Sequence, residues 1–123
     1  MMGIRKEDIE PQVIPGMYEG RLVERGGMFV AFESIKEGDP TPLFRGLPND
    51  RCQSPHWGFL FKGKWLIKYA DRKEEISAGQ AYYLAPGHIP VVLEDSESIE
   101  FSPKEEYEHT LAQIQKNLEA AGT

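Results

Sequence analysis

The sequence predicts an all-β fold, a sandwich or barrel, with one α-helix at its C-terminus. Twelve glycines and nine prolines interrupt the 123-residue chain at short intervals. Between them lie short runs rich in aromatic and β-branched side chains, which is the pattern of strands joined by tight turns. Helical spacing begins only after residue 101. A chain of this length forms about one domain, and its core does not require disulfides.

The first part of the chain is predicted to contain an arm, a hairpin and a loop. Residues 1–16 are polar and carry two prolines, so we expect an extended N-terminal arm. Residues 20–24 and 28–35 have strand composition and flank Gly26-Gly27, a pair typical of tight hairpin turns. Four prolines interrupt residues 38–55, which predicts a long irregular loop, and loops of this length are commonly functional.

The densest strand signal follows this loop. Residues 56–61 and 65–69 are predicted strands, and Lys62-Gly63-Lys64 between them is typical of a hairpin turn. Residues 94–97 are acidic and predict a solvated turn between the last two strands. The remaining predicted strands are residues 74–77, 80–84, 89–93 and 98–101.

The C-terminal segment, residues 102–123, is predicted to be an amphipathic helix. Ser102-Pro103-Lys104-Glu105 has the pattern of a capping box, with proline at the first helical position. An apolar stripe then recurs at helical spacing and should pack on the barrel or on a second subunit; it consists of Tyr107, Leu111, Ile114 and Leu118. The predicted organisation is an arm (residues 1–16), a β-barrel (residues 17–101) and this helix.

The strand at residues 56–61 has two different faces, because successive side chains point to opposite sides. His56, Gly58 and Leu60 share one face, and Trp57, Phe59 and Phe61 share the other. We expect Trp65, Ile67 and Tyr69 to give the next strand a similar aromatic face. If the first face lines the barrel, the aromatic face needs a cover, since large exposed apolar patches usually mark contact sites. The N-terminal arm, the C-terminal helix or a partner chain could provide this cover, and of these we favour a second copy of the chain in a homodimer.

Composition excludes several partners and favours a reducing compartment. The net charge is −6, whereas binding to nucleic acid or an anionic membrane requires a basic surface. No apolar run approaches the ~20 residues that span a bilayer, and the first twelve residues lack a secretory signal. The single cysteine, Cys52, cannot form an internal disulfide, which fits the cytoplasm.

Few side chains could carry chemistry, and three stand out. Phosphate-loop, serine-hydrolase and zinc-protease motifs are absent from the sequence. His109 lies in the predicted helix among glutamates and should be solvated. His56, His88 and Cys52, with Asp50 as a weaker candidate, offer the imidazole, thiolate and carboxylate groups that bind transition metals.

Spacing sets a condition on a shared site. Residues four apart on a straight strand lie about 13 Å apart, so Cys52 and His56 can share an ion only if the chain bends between them. Pro55 permits this bend because proline cannot continue a central strand. Two interpretations remain open: the histidines are metal ligands, or they line a metal-free pocket in which Cys52 is a small buried hydrophobe.

Two stretches of the sequence resemble the motifs of the cupin superfamily. In the first, residues 50–63 followed by the strand from Lys64, the positions that usually hold ligands in cupins are occupied by Asp50, Cys52 and His56. In the second, residues 79–88, Gly79 and Pro86-Gly87 match the pattern, and His88 lies two residues before Pro90, where cupins usually have their last histidine. The amino-acid sequence of these stretches is similar to that of small single-domain cupins (RmlC-like jelly rolls), a subgroup that implies no particular activity.

The resemblance implies a double-stranded β-helix, or jelly-roll barrel, whose pocket binds a small organic molecule such as a carboxylate or sugar. It implies one divalent transition metal (Fe, Mn, Ni, Cu or Zn) held by His56, His88 and Cys52, with Tyr82 as a further pocket residue. Three functions follow: a metal-dependent enzyme, a metal-free binding or sensor module, or an interaction domain with a vestigial pocket.

Overall fold

The computed structural model describes residues 3–122, so the ends of the predicted arm and helix (residues 1, 2 and 123) lie outside the described part. Seven strands form one antiparallel sheet that curves into a barrel, and a single α-helix follows. The strands are β1 (Pro11–Ile14), β2 (Tyr18–Arg25), β3 (Met28–Ile35), β4 (His56–Lys68), β5 (Lys73–Ser77), β6 (Ala81–Leu84) and β7 (Ile89–Pro103), and the helix is α1 (Lys104–Ala120). The predicted all-β fold with a C-terminal helix is confirmed.

Two long strands, β4 and β7, connect the two halves of the barrel. The order across the sheet is β1-β2-β3-β7-β4-β5, and β6 pairs with the first half of β4. The first residues of β4 lie between β6 and the end of β7, while its last residues lie between β5 and the start of β7. Each long strand therefore contributes side chains to both ends of the barrel interior.

The N-terminal hairpin is confirmed, and the predicted arm is partly a strand. Arg25 pairs with Met28 around Gly26-Gly27, and both glycines have positive φ. The residues of β1 pair with β2, while Arg21 donates hydrogen bonds to the carbonyls of Lys6 and Ile9. These bonds hold the first residues of the described chain along β2.

Two predicted turns are wrong, since the chain continues as strand through both. Lys62-Gly63-Lys64 lies inside β4 and residues 94–97 lie inside β7. The pairing of β4 with β7 shifts register between Leu60 and Trp65, which marks β-bulges. The charged residues in these stretches are tolerated because they face solvent on a sheet with one wet side.

The bulges also overturn the predicted face of Trp65, Ile67 and Tyr69. Along β4, the side chains that point inward have even numbers before the bulge and odd numbers after it. An extra residue in one strand reverses which side chains face the core. Trp65 and Ile67 are buried in the core and Tyr69 packs against it, rather than continuing an outer aromatic face. The main core cluster contains Leu60, Trp65, Ile67, Tyr82, Leu84 and Val92.

The predicted capping box is also wrong. Helix α1 begins at Lys104, Pro103 is the cap residue, and no side chain caps the helix. Ser102 is the penultimate residue of β7 and is buried. Its hydroxyl contacts an imidazole in the barrel instead of the helix N-terminus.

Helix α1 closes one side of the barrel by packing on the loop between β3 and β4. This loop contains two 3-10 turns and no strand, as predicted for an irregular segment. Ile114 packs against a second core cluster of Phe44, Cys52 and Ile89. Asn117 donates hydrogen bonds to the carbonyls of Leu43 and Arg45, which fixes the helix to the loop. Within residues 3–122, no helix is long and apolar enough to cross a membrane.

Candidate metal centre and cavity

Three side chains from separate segments converge inside the barrel. Cys52 comes from the end of the long loop, His56 is the first residue of β4, and His88 precedes β7. One ligand atom from each lies within 4.8 Å of the other two, and all three residues are buried. We call Cys52, His56 and His88 the donor group.

A short backbone bridge positions Cys52. Its N–H donates to the carbonyl of His88 at 3.0 Å, and its own carbonyl accepts the N–H of Gly87 at 2.8 Å. Gly87 has a φ of +92°, which a residue with a side chain adopts only with strain. The bend required between Cys52 and His56 is present, because Cys52 Sγ lies 3.6 Å from His56 Nε2.

Hydrogen bonds orient both imidazoles. The Nδ1–H of His88 donates to the carbonyl of Ala85 at 2.7 Å, which leaves Nε2 unprotonated in the neutral ring. His56 Nδ1 lies 2.6 Å from Ser102 Oγ, directly across the strand pair, and 3.6 Å from Glu100 Oε2. The rings cross edge to face with centroids 5.0 Å apart, and the Tyr107 ring of α1 packs against His56 at 4.9 Å.

Burial keeps both imidazoles neutral at physiological pH. It lowers the pKa of His56 to about 3. Burial, together with the neighbouring His56, lowers the pKa of His88 to about 4. Burial also raises the pKa of the Cys52 thiol to about 11. Neutral imidazoles are ready to bind a metal, whereas the thiol must lose its proton when an ion arrives.

Two buried carboxyl groups lie beside the donor group, and neither was predicted from the sequence. Glu33 on β3 and Glu100 on β7 are both buried and lie near each other in the sheet, since Glu33 pairs with Ser98, two residues before Glu100. Tyr18 donates to Glu33 at 2.6 Å and Tyr82 donates to Glu100 at 2.8 Å. Burial, with the partner carboxyl, raises the pKa of Glu33 to about 8, and burial raises that of Glu100 to about 7.

The alternation rule explains why these carboxyls were missed. Glu100 stands between Ile99 and Phe101, and the usual interpretation places the apolar residues inside and the carboxylate outside. Here the apolar side chains face outward and the carboxylate faces inward. Glu100 pairs with Gly58 on the adjacent strand β4, on the same inward face as His56, but this pairing is visible only in the structure.

The donor group lies on the wall of a cavity of about 570 Å³ between the barrel, the N-terminal segment and α1. Its polar lining includes the donor group, Glu33 and Glu100. Much of the remaining wall is apolar and includes Ile14, Leu22, Phe44, Leu84, Val92, Leu111 and Ile114. Cavities of this size hold small organic ligands.

The other predicted site residues lie elsewhere. Asp50 is exposed, and its carboxylate accepts the N–H of Gly46 at 3.0 Å, so the structure does not bring it to the donor group. Tyr82 is buried but does not line the cavity; it packs on Trp65 and supports Glu100. His109 is exposed on α1, as predicted.

The strand topology and the donor-lined cavity define a small jelly-roll barrel. The solved structures to which it is similar have the cupin fold, and the cupin resemblance is therefore confirmed at the level of the fold. No family model matches the sequence, and no curated protein matches it.

Three solved structures show this likeness. An RmlC-like cupin from Shewanella frigidimarina is 13% identical, with a TM-score of 0.60 over 84% of this chain and 91% of that one. Ectoine synthase from P. lautus is 12% identical, with a TM-score of 0.59 over 85% and 78% of the two chains. The iron(II) form of HppE is 9% identical, with a TM-score of 0.59 over 83% and 60%.

Proposed function

We propose that this protein is a metal-dependent enzyme that binds one divalent transition-metal ion through Cys52, His56 and His88 and acts on a small organic molecule in the cavity. The convergence of one sulfur and two nitrogen donors from three chain segments is the observation that carries the proposal. One of the similar structures is named as an iron(II) form.

The distance between Cys52 Sγ and His56 Nε2 fits a shared ion. Metal–sulfur and metal–nitrogen bonds of about 2.3 and 2.1 Å in tetrahedral geometry place the two atoms about 3.6 Å apart, and Cys52 Sγ lies 3.6 Å from His56 Nε2. A thiolate with two imidazoles suits Zn, Cu, Fe or Ni better than Mn. Three protein ligands would leave one coordination position of the ion open. An ion held by the donor group would then supply Lewis-acid or dioxygen chemistry.

The residues around the ion have defined tasks in this proposal. The Ala85 carbonyl fixes the tautomer of His88, and Ser102 does the same for His56 when Nδ1–H donates to its hydroxyl. The apolar walls and α1 limit the access of water to the reacting molecule. Because Cys52 must stay reduced to act as a ligand, a reducing cytoplasm suits this function.

A second candidate is a metal-free binding or sensor module. One observation favours it: Cys52, His56 and His88 each have hydrogen-bonding partners within the protein, so the buried polar atoms are satisfied without an ion. In that case the cavity would bind its ligand by shape and by the polar groups near Glu33 and Glu100.

Metal analysis of the untagged protein, purified without chelators, separates these candidates. The enzyme proposal predicts about one transition-metal ion per chain by mass spectrometry. His88→Ala should lose the metal, whereas His109→Ala, which removes an exposed histidine, should keep it. Metal-free wild-type protein after growth with each candidate metal would reject the proposal in favour of the binding module.

We also propose that the protein works as a homodimer. The outer aromatic face consists of Trp57, Phe59, Phe61, Tyr83 and Phe101, and four of these side chains are 37–57% exposed. Since a buried aromatic residue removes about 150–250 Å² from water, the four expose about 400 Å² together, half of the ~800 Å² that a standard interface buries per partner. A second copy presents the same uncharged face, which favours a twofold contact.

A further inference from the structure

The charged side chains that line the cavity are distributed unevenly. The buried ones, Glu33 and Glu100, are both carboxyl groups. Lys36 is the basic residue of the lining, but its side chain is 66% exposed and pairs with Asp95 at 3.5 Å. Glu37 and Asp39 are exposed at the same rim. Within the described lining, no basic side chain reaches the interior.

This distribution opposes the burial of an anion. Moving a carboxylate from water into a largely apolar cavity costs several kcal/mol unless a cation or several hydrogen-bond donors receive it. An ion held by the Cys52 thiolate would carry a net charge of only +1, since the thiolate neutralises one of its two charges. Glu33 and Glu100 repel an anion if either is ionised, and a protonated carboxyl offers an anion at most one hydrogen-bond donor.

The same carboxyl groups can receive a hydrogen-bond donor. Tyr18 donates to Glu33 Oε2 and Tyr82 donates to Glu100 Oε1. Acceptor positions remain on both groups, because a carboxylate offers about four and a protonated carboxyl keeps acceptor capacity beside its one donor. A hydroxyl or ammonium group on the ligand matches these positions. The apolar walls match a hydrocarbon body.

We infer that the cavity selects a small, mostly apolar molecule that ends in a hydrogen-bond donor, an alcohol or an amine, and discriminates against carboxylates. This inference deepens the proposed function, because it names the ligand class of the same site. It differs from the carboxylate or sugar-like ligand that the cupin resemblance implies. Glu33 is the residue that sets the preference, since it lines the cavity and is not one of the proposed metal ligands.

Three probes with one hydrocarbon body test the inference: 1-hexanol, hexylamine and hexanoate. Their binding is measured by calorimetry and by saturation-transfer NMR, on the metal-free protein and on protein loaded with Zn²⁺. We expect the alcohol and the amine to bind at least about tenfold more tightly than the acid in both forms. Tenfold in affinity corresponds to about 1.4 kcal/mol, which one charge-assisted hydrogen bond is sufficient to supply.

Glu33→Gln keeps the shape of the side chain and should reduce the advantage of the amine over the acid about tenfold. Glu97→Gln, an exposed carboxylate on β7 that does not line the cavity, should leave that advantage unchanged. Circular dichroism of both variants verifies that they fold. If Glu33→Gln does not fold, Glu33→Asp serves, because a shorter acid retracts the carboxyl and should also weaken amine binding.

The outcomes separate this inference from the proposed function. Hexanoate binding as tightly as the amine in the metal-free form would overturn the inference, and so would failure of all three probes to bind at millimolar concentration. Preference for hexanoate in the Zn²⁺ form alone would overturn the inference but support the metal centre. Alcohol and amine preference in a protein that binds none of Zn²⁺, Cu²⁺, Fe²⁺ and Ni²⁺ would support the inference and reject the metal enzyme.

Discussion

The imidazole of His56 touches different groups with its two nitrogens, and this determines what the residue can do. Nε2 faces Cys52 Sγ, while Nδ1 faces Ser102 and Glu100. A buried histidine between a hydroxyl and a carboxyl is held in one orientation. Ligands oriented in this way bind metals more tightly than free ones, because the ring does not have to be ordered on binding.

Ser102→Ala tests this orientation. We expect metal affinity to fall about 10–100-fold, the usual cost of removing a group that orients a ligand. Ser98→Ala is the matched control, since Ser98 is equally buried on β7 but makes no hydrogen bond to the donor group. A competition titration against a chelator measures both affinities. Equal affinities for the two variants would show that Ser102 has no orienting role.

Glu33 should make stability depend on pH. Its pKa is raised from 4.5 to about 8 by burial and by Glu100, while Tyr18 faces it from β2. The folded metal-free protein therefore holds a proton that the unfolded chain releases above pH 4.5. This contribution to stability is fully present below pH 4.5 and is lost as the pH rises through about 8.

Urea unfolding at pH 6 and pH 8 measures this effect. The free energy of unfolding should fall with rising pH by at most about 1.4 kcal/mol per unit for this group. Glu33→Gln should show a smaller fall, because the amide does not ionise. A fall in Glu33→Gln as large as in the wild type would contradict the assignment. The comparison of the two proteins cancels the opposing contribution of His56 and His88, whose pKa values are lowered by burial.

At the scale of single residues, the sequence indicated which side chains could bind a metal better than it indicated where each side chain lies in the fold. His56, His88 and Cys52 were found because few other side chains could bind a metal, and the bend at Pro55 permitted their convergence. Asp50 could not be excluded in advance, since the turn that directs it to Gly46 depends on a positive φ at Asn49 and Asp50. Glu33 and Glu100 follow no sequence rule, because they oppose the usual alternation.

At the scale of elements, the long bent strand β4 decides where the site lies. A hairpin at Gly63 would have ended the strand and separated His56 from the core residues Trp65 and Ile67. A bulge instead keeps β4 as one strand, in which even-numbered side chains point inward before the bulge and odd-numbered ones after it. Sequence could not distinguish the two, because Lys-Gly-Lys suits a turn and a bulge equally, and the choice is made by pairing with β7.

Gly63 is the residue that permits this bulge. Its φ is +96°, and an added Cβ would lie 2.6 Å from the carbonyl oxygen of Asp95 on β7. Gly63→Ala should therefore destabilise the fold by about 2–4 kcal/mol, through backbone strain and overpacking together. Gly79→Ala has a similar φ of +91° but open space around the Cβ, so it should cost only about 1 kcal/mol.

Chemical denaturation of both glycine variants gives the comparison. Equal losses for the two would mean that the close approach of β4 and β7 at Gly63 contributes nothing. The same contact explains why residues 94–97 form strand rather than a turn, since β7 continues past Gly63 to reach β3.

At the scale of the molecule, the barrel is unusual in placing apolar residues on both faces of its sheet. The inner face holds the core at one end and polar groups at the other, while the outer aromatic face lies on β4, β6 and β7. Trp57 contacts Tyr83 and Phe59 contacts Phe61, so the aromatic side chains already pack with one another. The sequence predicted this patch from the alternation at residues 56–61, but not its end at the bulge.

Light scattering after size-exclusion chromatography tests the homodimer. The wild type should have twice the chain mass, and Trp57→Lys with Tyr83→Lys should shift it to the monomer without a loss of folding, because both side chains are half-exposed. Leu93→Lys, an exposed apolar residue elsewhere on β7, should leave the dimer intact. A wild type that stays monomeric at high concentration would remove this proposal.

The functional account depends on the claim that the donor group binds a metal ion, and titration with Co²⁺ tests this claim most directly. A Co²⁺ ion bound by Cys52 produces a thiolate-to-cobalt charge-transfer absorption in the near ultraviolet. We expect this absorption to saturate at one ion per chain, to disappear in Cys52→Ser, and to persist in His109→Ala. Wild-type protein that shows no such absorption, or an absorption that survives Cys52→Ser, would contradict the proposed metal centre.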